Sequence, residues 1–463
     1  MLAAQAEHGF EDWRILLFAK NGAELLVLKR ALGLCLPVLR VPRDERIARS
    51  LNAEAQRSWN LETVCVAPIT IPLPDRASGD ARYYIMEVRR PEELSRIAPK
   101  TVDVATLKPH AFSDTRDFQA VRRAMKLEAN ATPPDHDGPF SDFAAFQRIS
   151  EWVREQLKLS GRQWDGSFRQ LHADGFFSLI RFQTNPGAVW FKATGEPNRR
   201  EFAITRRLSA LFPQFLPEIV SVHADWNAWL TNEVPGTSLQ SSADLSSWCL
   251  AAESVAELQV ASIAHTSSIL DSRAHDSRTT TLLSEAVPWF AEIENLMERQ
   301  IKAAPQRLSA TEVRSLRQRV IDALTQLESA AIPDALNHFD LNPANAIVGT
   351  GECRFLDWAE ASVGNPFFSF EYLRQHFLRA FSGDLKAATK VRDSYAKVWR
   401  RLLSASVIDL AIELMPLVAP FAFAAITLPS NGSDGNREPQ FAGFLRSLAR
   451  RMHREAEQLG KAA

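Results

Sequence analysis

One stretch, residues 337–357, restricts the fold of this chain more than any other, because a polar loop runs directly into two short apolar segments. The loop holds Asp340 and Asn345, five positions apart with a proline between them, which disfavours a helix. The two apolar segments are joined by the turn Gly349–Glu352, and Asp357 ends the second segment. The pattern predicts a β-hairpin with polar residues at its open end.

The register of this hairpin follows from the position of its tip. With Thr350-Gly351 at the tip, Val348 opposes Cys353. Counting back along both strands, the residue before Asn345 opposes Asp357, and opposed residues of antiparallel strands lie about 5 Å apart. The hairpin is therefore predicted to bring Asn345 and Asp357 together.

The oxygen atoms of an asparagine and an aspartate at one end of a hairpin suit Mg²⁺, which is held by a few protein oxygens together with phosphate and water. In kinase-type phosphoryl transfer, one aspartate accepts the proton of the attacking hydroxyl while an asparagine and a second aspartate hold the metal. Asp340, Asn345 and Asp357 match this division of roles. The alternative is an asparagine-rich turn before an ordinary hairpin.

The residues around this segment add to the match. His338 precedes Asp340 by two positions, and Trp358 follows Asp357. The segment resembles the pattern H-G-D-x-x-x-x-N, short hairpin, D-W or D-F of the aminoglycoside phosphotransferase and choline kinase-like superfamily. The resemblance covers about residues 165–400 and implies a bilobal protein-kinase-like fold, of class α+β, with a small β-rich lobe and a large helical lobe.

The resemblance also implies roles for these residues. Asp340 corresponds to the catalytic base, Asn345 and Asp357 to the ligands of Mg²⁺, and His338 to a residue that braces the loop. ATP is implied as the phosphoryl donor, and a small molecule with a hydroxyl group as the acceptor. Relatives act on aminoglycosides, sugars and amino alcohols, and no motif in this chain selects among them.

A kinase of this type also needs a lysine on a strand and a glutamate on a helix to hold it. Lys192 lies in the strand-like run Ala188–Thr194, and Glu201 lies beside the apolar stripe of a helix predicted to begin near Pro197. A buried carboxylate needs a partner, so we expect Lys192 to pair with Glu201. The alternatives are a solvated lysine on an edge strand and a glutamate at the wet edge of the stripe.

Two further segments take the places of nucleotide-binding parts in the family. The tract that contains Glu233 and Val234 resembles the linker between the lobes, whose backbone binds the adenine edge; an ordinary turn between domains is the alternative. The loop around Gly175 takes the place of the loop that covers the phosphates.

Some residues depart from the family pattern. Phe339 replaces the usual glycine and is expected either to crowd the loop or to shape an acceptor pocket. Trp190, on the same strand face as Lys192, is bulky for a position that lines the adenine pocket. Asn365 and Ser369 stand where acids are common.

The N-terminal part of the chain reads as a separate α+β domain with a β-hairpin, a helix near Arg46–Trp59 and further strands. Its element order vaguely resembles a degenerate Nudix-like domain, but Arg57 and Ser58 stand where metal-binding glutamates are expected and only Glu54 remains acidic. The predicted domains are an N-terminal domain over 1–130, a linker and connecting helix over 131–160, a small lobe over 161–235 and a large lobe over 236–463. The breaker-rich segment Asn130–Pro139 marks the linker.

Charge and composition argue against several classes of protein. The 54 basic and 55 acidic residues nearly cancel, which argues against a broad nucleic-acid surface. The four cysteines show no paired spacing, which fits a reducing compartment. The first residues lack a secretory pattern, and the apolar stretch Leu414–Leu428 is too short to span a bilayer, so a cytoplasmic protein without membrane contact is expected. Nothing in the sequence determines the oligomeric state.

The leading hypothesis is therefore an ATP- and Mg²⁺-dependent small-molecule kinase. The alternative is a nucleotide-binding pseudokinase or regulatory scaffold, which the departures at Phe339 and Trp190 favour. A third hypothesis keeps a metal-dependent hydrolase in residues 1–105.

Overall fold

The computed structural model describes residues 9–427 and 439–462 except 44, 72–80, 91, 93, 95–99 and 130–142. The predicted linker Asn130–Pro139 lies outside the described residues. The chain divides into two compact units: residues 1–202 with 218–233, and residues 203–217 with 234–463. We call them unit 1 and unit 2 and describe each by itself.

The first part of unit 1 is a mixed sheet with one helix on each face. Its elements are β1 (Phe10–Ala19), β2 (Glu24–Arg30), β3 (Gly33–Cys35), β4 (Val38–Pro42), α1 (Ile47–Trp59), β5 (Thr63–Ile71), β6 (Ala81–Val88), β7 (Lys100–Asp103) and α2 (Thr115–Ala129). The sheet runs β3-β2-β1-β6-β5, and β4 and β7 pair with β1 and β2. The predicted hairpin, helix and strands are confirmed, with β1 and β6 parallel.

Alternation along β1 explains the two covered faces. Ile15 and Leu17 share one core cluster with residues of α1, whereas Leu16 and Phe18 share another with residues of α2. Successive side chains of a strand point to opposite faces, so a continuous apolar run marks a strand buried on both sides.

The second part of unit 1 is an antiparallel sheet in the order β11-β12-β10-β9-β8. Its elements are α3 (Ala145–Leu159), β8 (Gln163–Ala173), β9 (Phe177–Asn185), β10 (Ala188–Thr194), β11 (Ile219–His223) and β12 (Ala228–Asn232). Helix α4 (Arg200–Leu211) begins in unit 1, and its residues from Ala203 onwards belong to unit 2. The predicted strands are confirmed. The helix expected near Pro197 begins only at Arg200, because a turn in which the N–H of Asn198 donates to the carbonyl of Gly195 precedes it.

The two sheets of unit 1 share one hydrophobic core. Apolar residues of α3, such as Phe146, Ile149 and Val153, belong to the same buried cluster as Ile15 of β1 and Phe191 of β10. The predicted domain limits at 130, 160 and 235 stay predictions, but the described residues on both sides of the first two limits pack together within unit 1.

Unit 2 is largely helical. Its elements after α4 are β13 (Thr237–Ser238), α5 (Leu245–Ser262), α6 (Thr266–Asp271), β14 (His275–Ser277), α7 (Thr279–Glu298), α8 (Ala310–Ser329), β15 (Ala335–His338), β16 (Ala346–Val348), β17 (Cys353–Phe355), β18 (Ala361–Gly364), α9 (Phe367–Ala380), α10 (Leu385–Trp399), α11 (Ala405–Thr427) and α12 (Pro439–Ala462). Two small sheets, β13-β16-β17 and β14-β18-β15, lie among the helices. The α+β class is confirmed, with β-rich unit 1 and helical unit 2.

Beyond Gly236, the helices are interrupted by the short strands β15 to β18. Strand β14 also interrupts them and pairs with β18 in parallel. Helix α11 is long and apolar enough, by length and composition, to cross a membrane. Its residues Met415, Val418 and Phe421 lie in the core of unit 2, as predicted for the described part of Leu414–Leu428.

Candidate active site

The predicted hairpin is formed by β16 and β17 with the predicted register. Val348 pairs with Cys353 and Ala346 with Phe355. One step further, the N–H of Leu356 donates to the carbonyl of Asn345 at 2.8 Å. This bond places Asn345 beside the residue that precedes Asp357.

Asp340 is half-buried and held by two amide side chains. The Nδ2 of Asn345 donates to the Asp340 carbonyl oxygen at 2.9 Å and to its Oδ2 at 3.2 Å. The Nδ2 of Asn342 donates to Oδ1 at 3.1 Å. Burial raises the pKa of Asp340, the negative charge of Asp357 adds to this, and the amide bonds and the neighbouring His338 oppose it.

Asp357 has a backbone conformation that glycine normally occupies. Its φ of 65° and ψ of 67° lie in the left-handed region at the start of a short 3₁₀ turn, Trp358–Glu360. A residue other than glycine pays about 1–2 kcal/mol for this conformation. Such strain is concentrated at functional sites. We call Asp340, Asn345 and Asp357 the carboxylate site.

His338 lies at the end of β15 and is 1% exposed. Its backbone N–H donates to Ser369 Oγ at 2.9 Å, and its Nε2 donates to the carbonyl of Leu356 at 2.8 Å. Burial lowers the pKa of the imidazole, which favours the neutral ring with the proton on Nε2. His338 thus ties the loop of Asp340 to the residue before Asp357, and these contacts are those of a brace.

Ser369 and Asn337 extend this brace, and the sequence did not point to Asn337. The Oγ of Ser369 donates to Asn337 Oδ1 at 2.8 Å, and both residues are fully buried. A serine therefore provides, through its hydroxyl, a bond at a position where the family often has an acid. One feature of the sequence could have pointed to Asn337: it is a polar amide in a run whose other residues are apolar or belong to the motif.

Phe339 does not crowd the loop, contrary to one of the two expectations. Its ring is 1% exposed and lies 5.8 Å from the ring of Phe368 and 6.1 Å from that of Phe423. The side chain packs in the hydrophobic core of unit 2.

In unit 1, the predicted pair is formed. Lys192 Nζ donates to Glu201 Oε1 at 2.6 Å, and Glu201 is only 2% exposed. The ammonium also lies 5.8 Å and 5.7 Å from the ring centres of Phe177 and Trp229. Strand β10 thus presents the lysine to the first turn of α4. We call Lys192 and Glu201 the lysine pair.

The loop around Gly175 is organised by its own acid. Asp174 Oδ1 accepts hydrogen bonds from the N–H groups of Phe176 at 2.8 Å and Phe177 at 3.0 Å. These two N–H groups are therefore occupied within the turn. The assignment of the Gly175 loop as the loop that covers the phosphates stays a prediction. His172 Nε2 lies 2.6 Å from Asp174 Oδ2, and this bond helps to lower the pKa of the carboxyl against the effect of its burial.

Glu233 and Val234 stand at the junction of the units, since unit 1 ends at Glu233 and unit 2 resumes at Val234. The N–H of Glu233 donates to the carbonyl of Ala188 at 3.0 Å and is used within the sheet. Its carboxylate accepts two bonds from Arg181 at 2.6 and 2.8 Å and one from Trp190 Nε1 at 3.2 Å. A base edge would have to meet other backbone groups of this tract.

The comparison with protein families finds one match in this region. Residues 189–403 match the sequence model described as "Phosphotransferase enzyme family". This region is therefore similar to that family. The matched range includes the lysine pair and the carboxylate site, as the resemblance of the motifs implied. Among curated proteins, none matches the sequence.

Solved structures similar to this chain include a macrolide 2'-phosphotransferase from Brachybacterium faecium (16% identity, 62% of this chain and 99% of that one, TM-score 0.40). A putative aminoglycoside phosphotransferase from Ralstonia eutropha shows 14% identity over 68% of this chain and 98% of that one, with a TM-score of 0.44. A choline kinase from Streptococcus pneumoniae shows 13% identity over 66% and 99%, with a TM-score of 0.42.

The carboxylate site fits a magnesium ion by the chemistry of its donors. The Nδ2 of Asn345 is engaged with Asp340, which leaves Oδ1 as the ligating atom of the amide, and Asp357 supplies a carboxylate. Among the described residues, no group of three or more His, Cys, Asp or Glu side chains could hold a metal. A site made of one amide, one carboxylate and phosphate oxygens differs from such a group of three protein ligands, because the nucleotide supplies the remaining ligands.

Proposed function

We propose that this protein is an ATP- and Mg²⁺-dependent small-molecule kinase that transfers the γ-phosphoryl group to a hydroxyl of the acceptor. The observation that carries the proposal is the bonding of Asn345 to both the backbone and the carboxylate of Asp340, on a hairpin that ends beside Asp357. The Asn345 side chain would thus have two roles: its Nδ2 holds the base Asp340, and its Oδ1 remains as a ligand for the metal.

In the proposed reaction, Asp340 orients the acceptor hydroxyl and takes its proton as the oxygen attacks the γ-phosphorus. The new bond joins the acceptor oxygen to phosphorus, the bond from phosphorus to the β,γ-bridging oxygen breaks, and ADP leaves. Mg²⁺ held by Asn345 and Asp357 would neutralise charge on the phosphates. Burial keeps the Asp340 carboxyl a stronger base than an exposed aspartate, because its pKa is raised.

Lys192 would contact the phosphates of the nucleotide. Its ammonium is fixed by Glu201 at 2.6 Å, so the side chain loses little freedom when a phosphate arrives. The side chain of Lys192 is 16% exposed, so it is not fully withdrawn from water. The proposed acceptors are of the aminoglycoside, sugar or amino-alcohol class.

One of the two observations that favoured the alternative, a scaffold without turnover, carries less weight in this structure. Phe339, which departs from the family pattern and favoured this alternative, packs in the core of unit 2 and leaves the loop of Asp340 unobstructed.

The hydrolase hypothesis concerns the one acid that remains in α1. Glu54 bonds to Arg57 and accepts a hydrogen bond from Ser58 Oγ at 2.7 Å. The remaining acid of that helix is thus engaged with the residues that replace the expected glutamates.

The test is release of ADP across a panel of hydroxyl acceptors for the wild type, Asp340→Ala and Asp334→Asn. Asp334 is a matched control, since it is also a half-buried carboxyl whose pKa is raised by burial, but it precedes β15 and lies outside the carboxylate site. We expect one acceptor to turn over with the wild type and Asp334→Asn, and a loss of about 10²–10⁴-fold with Asp340→Ala. Equal turnover by Asp340→Ala would refute the proposal.

A further inference from the structure

Two adjacent tyrosines of β6 anchor opposite faces of the first sheet of unit 1. Tyr83 and Tyr84 are 0% and 1% exposed. The hydroxyl of Tyr83 donates to Asp117 Oδ1 of α2 at 3.0 Å, whereas the hydroxyl of Tyr84 donates to the carbonyl of Ala173 at 2.5 Å. The first bond stays within the N-terminal part of unit 1, and the second joins it to the last residue of β8.

A second connection lies close by. Gln170 of β8 is 2% exposed, and its side chain bonds to the backbone of Cys65 as a neighbouring strand would. The Cys65 N–H donates to Gln170 Oε1 at 2.8 Å, and Gln170 Nε2 donates to the Cys65 carbonyl at 2.9 Å. Asn52 Nδ2 of α1 donates to the same Oε1 at 2.9 Å. Strand β5, at the end of the first sheet, thus fixes β8 through an amide.

Both connections meet β8 where it leads into the turn of Gly175. Ala173 pairs with Ser178, and Ser178 pairs with Ala193, the residue after Lys192. The next residue, Asp174, accepts the N–H bonds that shape the turn. The segment that the N-terminal sheet holds is therefore continuous with the turn and in register with the strand of the lysine pair.

We propose that the N-terminal sheet is a positioning element of the nucleotide site, with Tyr84 as a positioning residue that fixes the end of β8 and, through it, the Gly175 turn and Lys192. This inference rests on the proposed function, in which Lys192 binds the nucleotide phosphates. It gives the N-terminal residues a role in nucleotide affinity that needs no ligand of their own. A buried hydroxyl bonded to a backbone carbonyl restrains that carbonyl without contacting the nucleotide.

The test compares Tyr84→Phe with Tyr83→Phe in the full chain. Each change removes one buried hydroxyl from the same strand, so similar shifts of the unfolding midpoint are expected. Titration with Mg-ADP in a calorimeter is expected to show about 3–10-fold weaker binding for Tyr84→Phe and wild-type binding for Tyr83→Phe. The KM for ATP is expected to rise by the same factor, with the KM of the acceptor and kcat unchanged. A purely structural role would move the two variants alike.

The outcomes separate this inference from the proposed function. If the wild type binds no Mg-ADP, the proposed function fails. If the wild type binds and the two tyrosine variants bind equally well, the positioning role fails alone. Should Tyr84→Phe not fold, Asn52→Ala, which removes one of the bonds to Gln170 Oε1, decides in the same titration: weaker binding supports the inference, and wild-type binding overturns it.

Discussion

Glu201 of the lysine pair and Asp340 of the carboxylate site are both carboxylates withdrawn from water, but their partners differ. Glu201, at 2% exposure, receives the Lys192 ammonium at 2.6 Å. Asp340 receives amide N–H groups from Asn342 and Asn345, and the nearby charge of Asp357 helps to raise its pKa. The protein therefore neutralises one carboxylate itself and leaves the other as a base that a cation or a proton would stabilise.

The raised pKa fixes the sign of the effect of Asp340 on stability. The folded state binds this proton more tightly than the unfolded chain does. The contribution is fully present below the unfolded pKa, near 4, and is lost as the pH rises through the folded pKa. Once ionised, Asp340 thus lowers the free energy of unfolding, whereas the Glu201 carboxylate is paired with Lys192.

The largest expected effect comes from Asp340→Asn. Loss of the base is expected to lower kcat by about 10²–10⁴-fold. The midpoint of chemical unfolding at pH 7 is expected to stay the same or rise, because an ionised carboxylate has been replaced by a neutral amide. The difference from the wild type should shrink as the pH falls and vanish below the unfolded pKa, where Asp340 is protonated in both the folded and the unfolded state. A clear loss of stability at pH 7 would contradict the contrast between the two carboxylates.

Lys192→Met tests the other half of the comparison. The change removes the ammonium from the buried Glu201 carboxylate, and breaking a buried ion pair from one side costs about 3–5 kcal/mol. Lys192→Met combined with Glu201→Gln is expected to recover much of the free energy of unfolding but none of the nucleotide binding. Denaturant unfolding and Mg-ADP titration measure the two quantities. If the single variant is as stable as the double variant, the pair does not carry the stability assigned to it.

The sequence was sufficient for the parts of both sites that local rules determine. The hairpin register followed from a two-residue tip and a count along two strands, as the Val348 and Cys353 pairing shows. The lysine pair followed from the cost of a carboxylate on an apolar stripe. Both inferences use residues close together in the chain.

The parts of the fold and of the sites that the sequence did not predict depend on contacts between distant residues, or on strands too short to show a hydrophobic periodicity. Strand β14 has three residues, so no alternation identifies it. Ser369 reaches Asn337 across 32 positions, and Tyr84 reaches Ala173 across 89, with nothing in the local sequence that names the partner. Two placements stayed open for Phe339 because the motif shows which residue replaces glycine but not which way its side chain points.

Asp357→Gly probes the strain in the carboxylate site. Glycine adopts a φ of 65° without penalty, so the free energy of unfolding is expected to rise by about 1 kcal/mol. The loss of the carboxylate is expected to abolish the activation of turnover by Mg²⁺. Asp357→Asn is the control, since it keeps the side-chain volume and an oxygen ligand without the charge. Unchanged dependence on Mg²⁺ in the glycine variant would remove Asp357 from the metal site.

The smallest expected effect concerns Glu233, whose pairing with Arg181 resembles the lysine pair in chemistry but not in burial. The two side chains are 37% and 24% exposed, so water screens their attraction. A double-mutant cycle of Glu233→Gln and Arg181→Gln is expected to give a coupling free energy of about 0.2–1 kcal/mol that falls with added salt. Trp190→Phe serves as the control for the third contact of this carboxylate. A coupling as large as that of the lysine pair would contradict the assignment of the difference to burial. It would show that the bidentate geometry, in which Arg181 makes two bonds to the Glu233 carboxylate, makes up for the greater exposure.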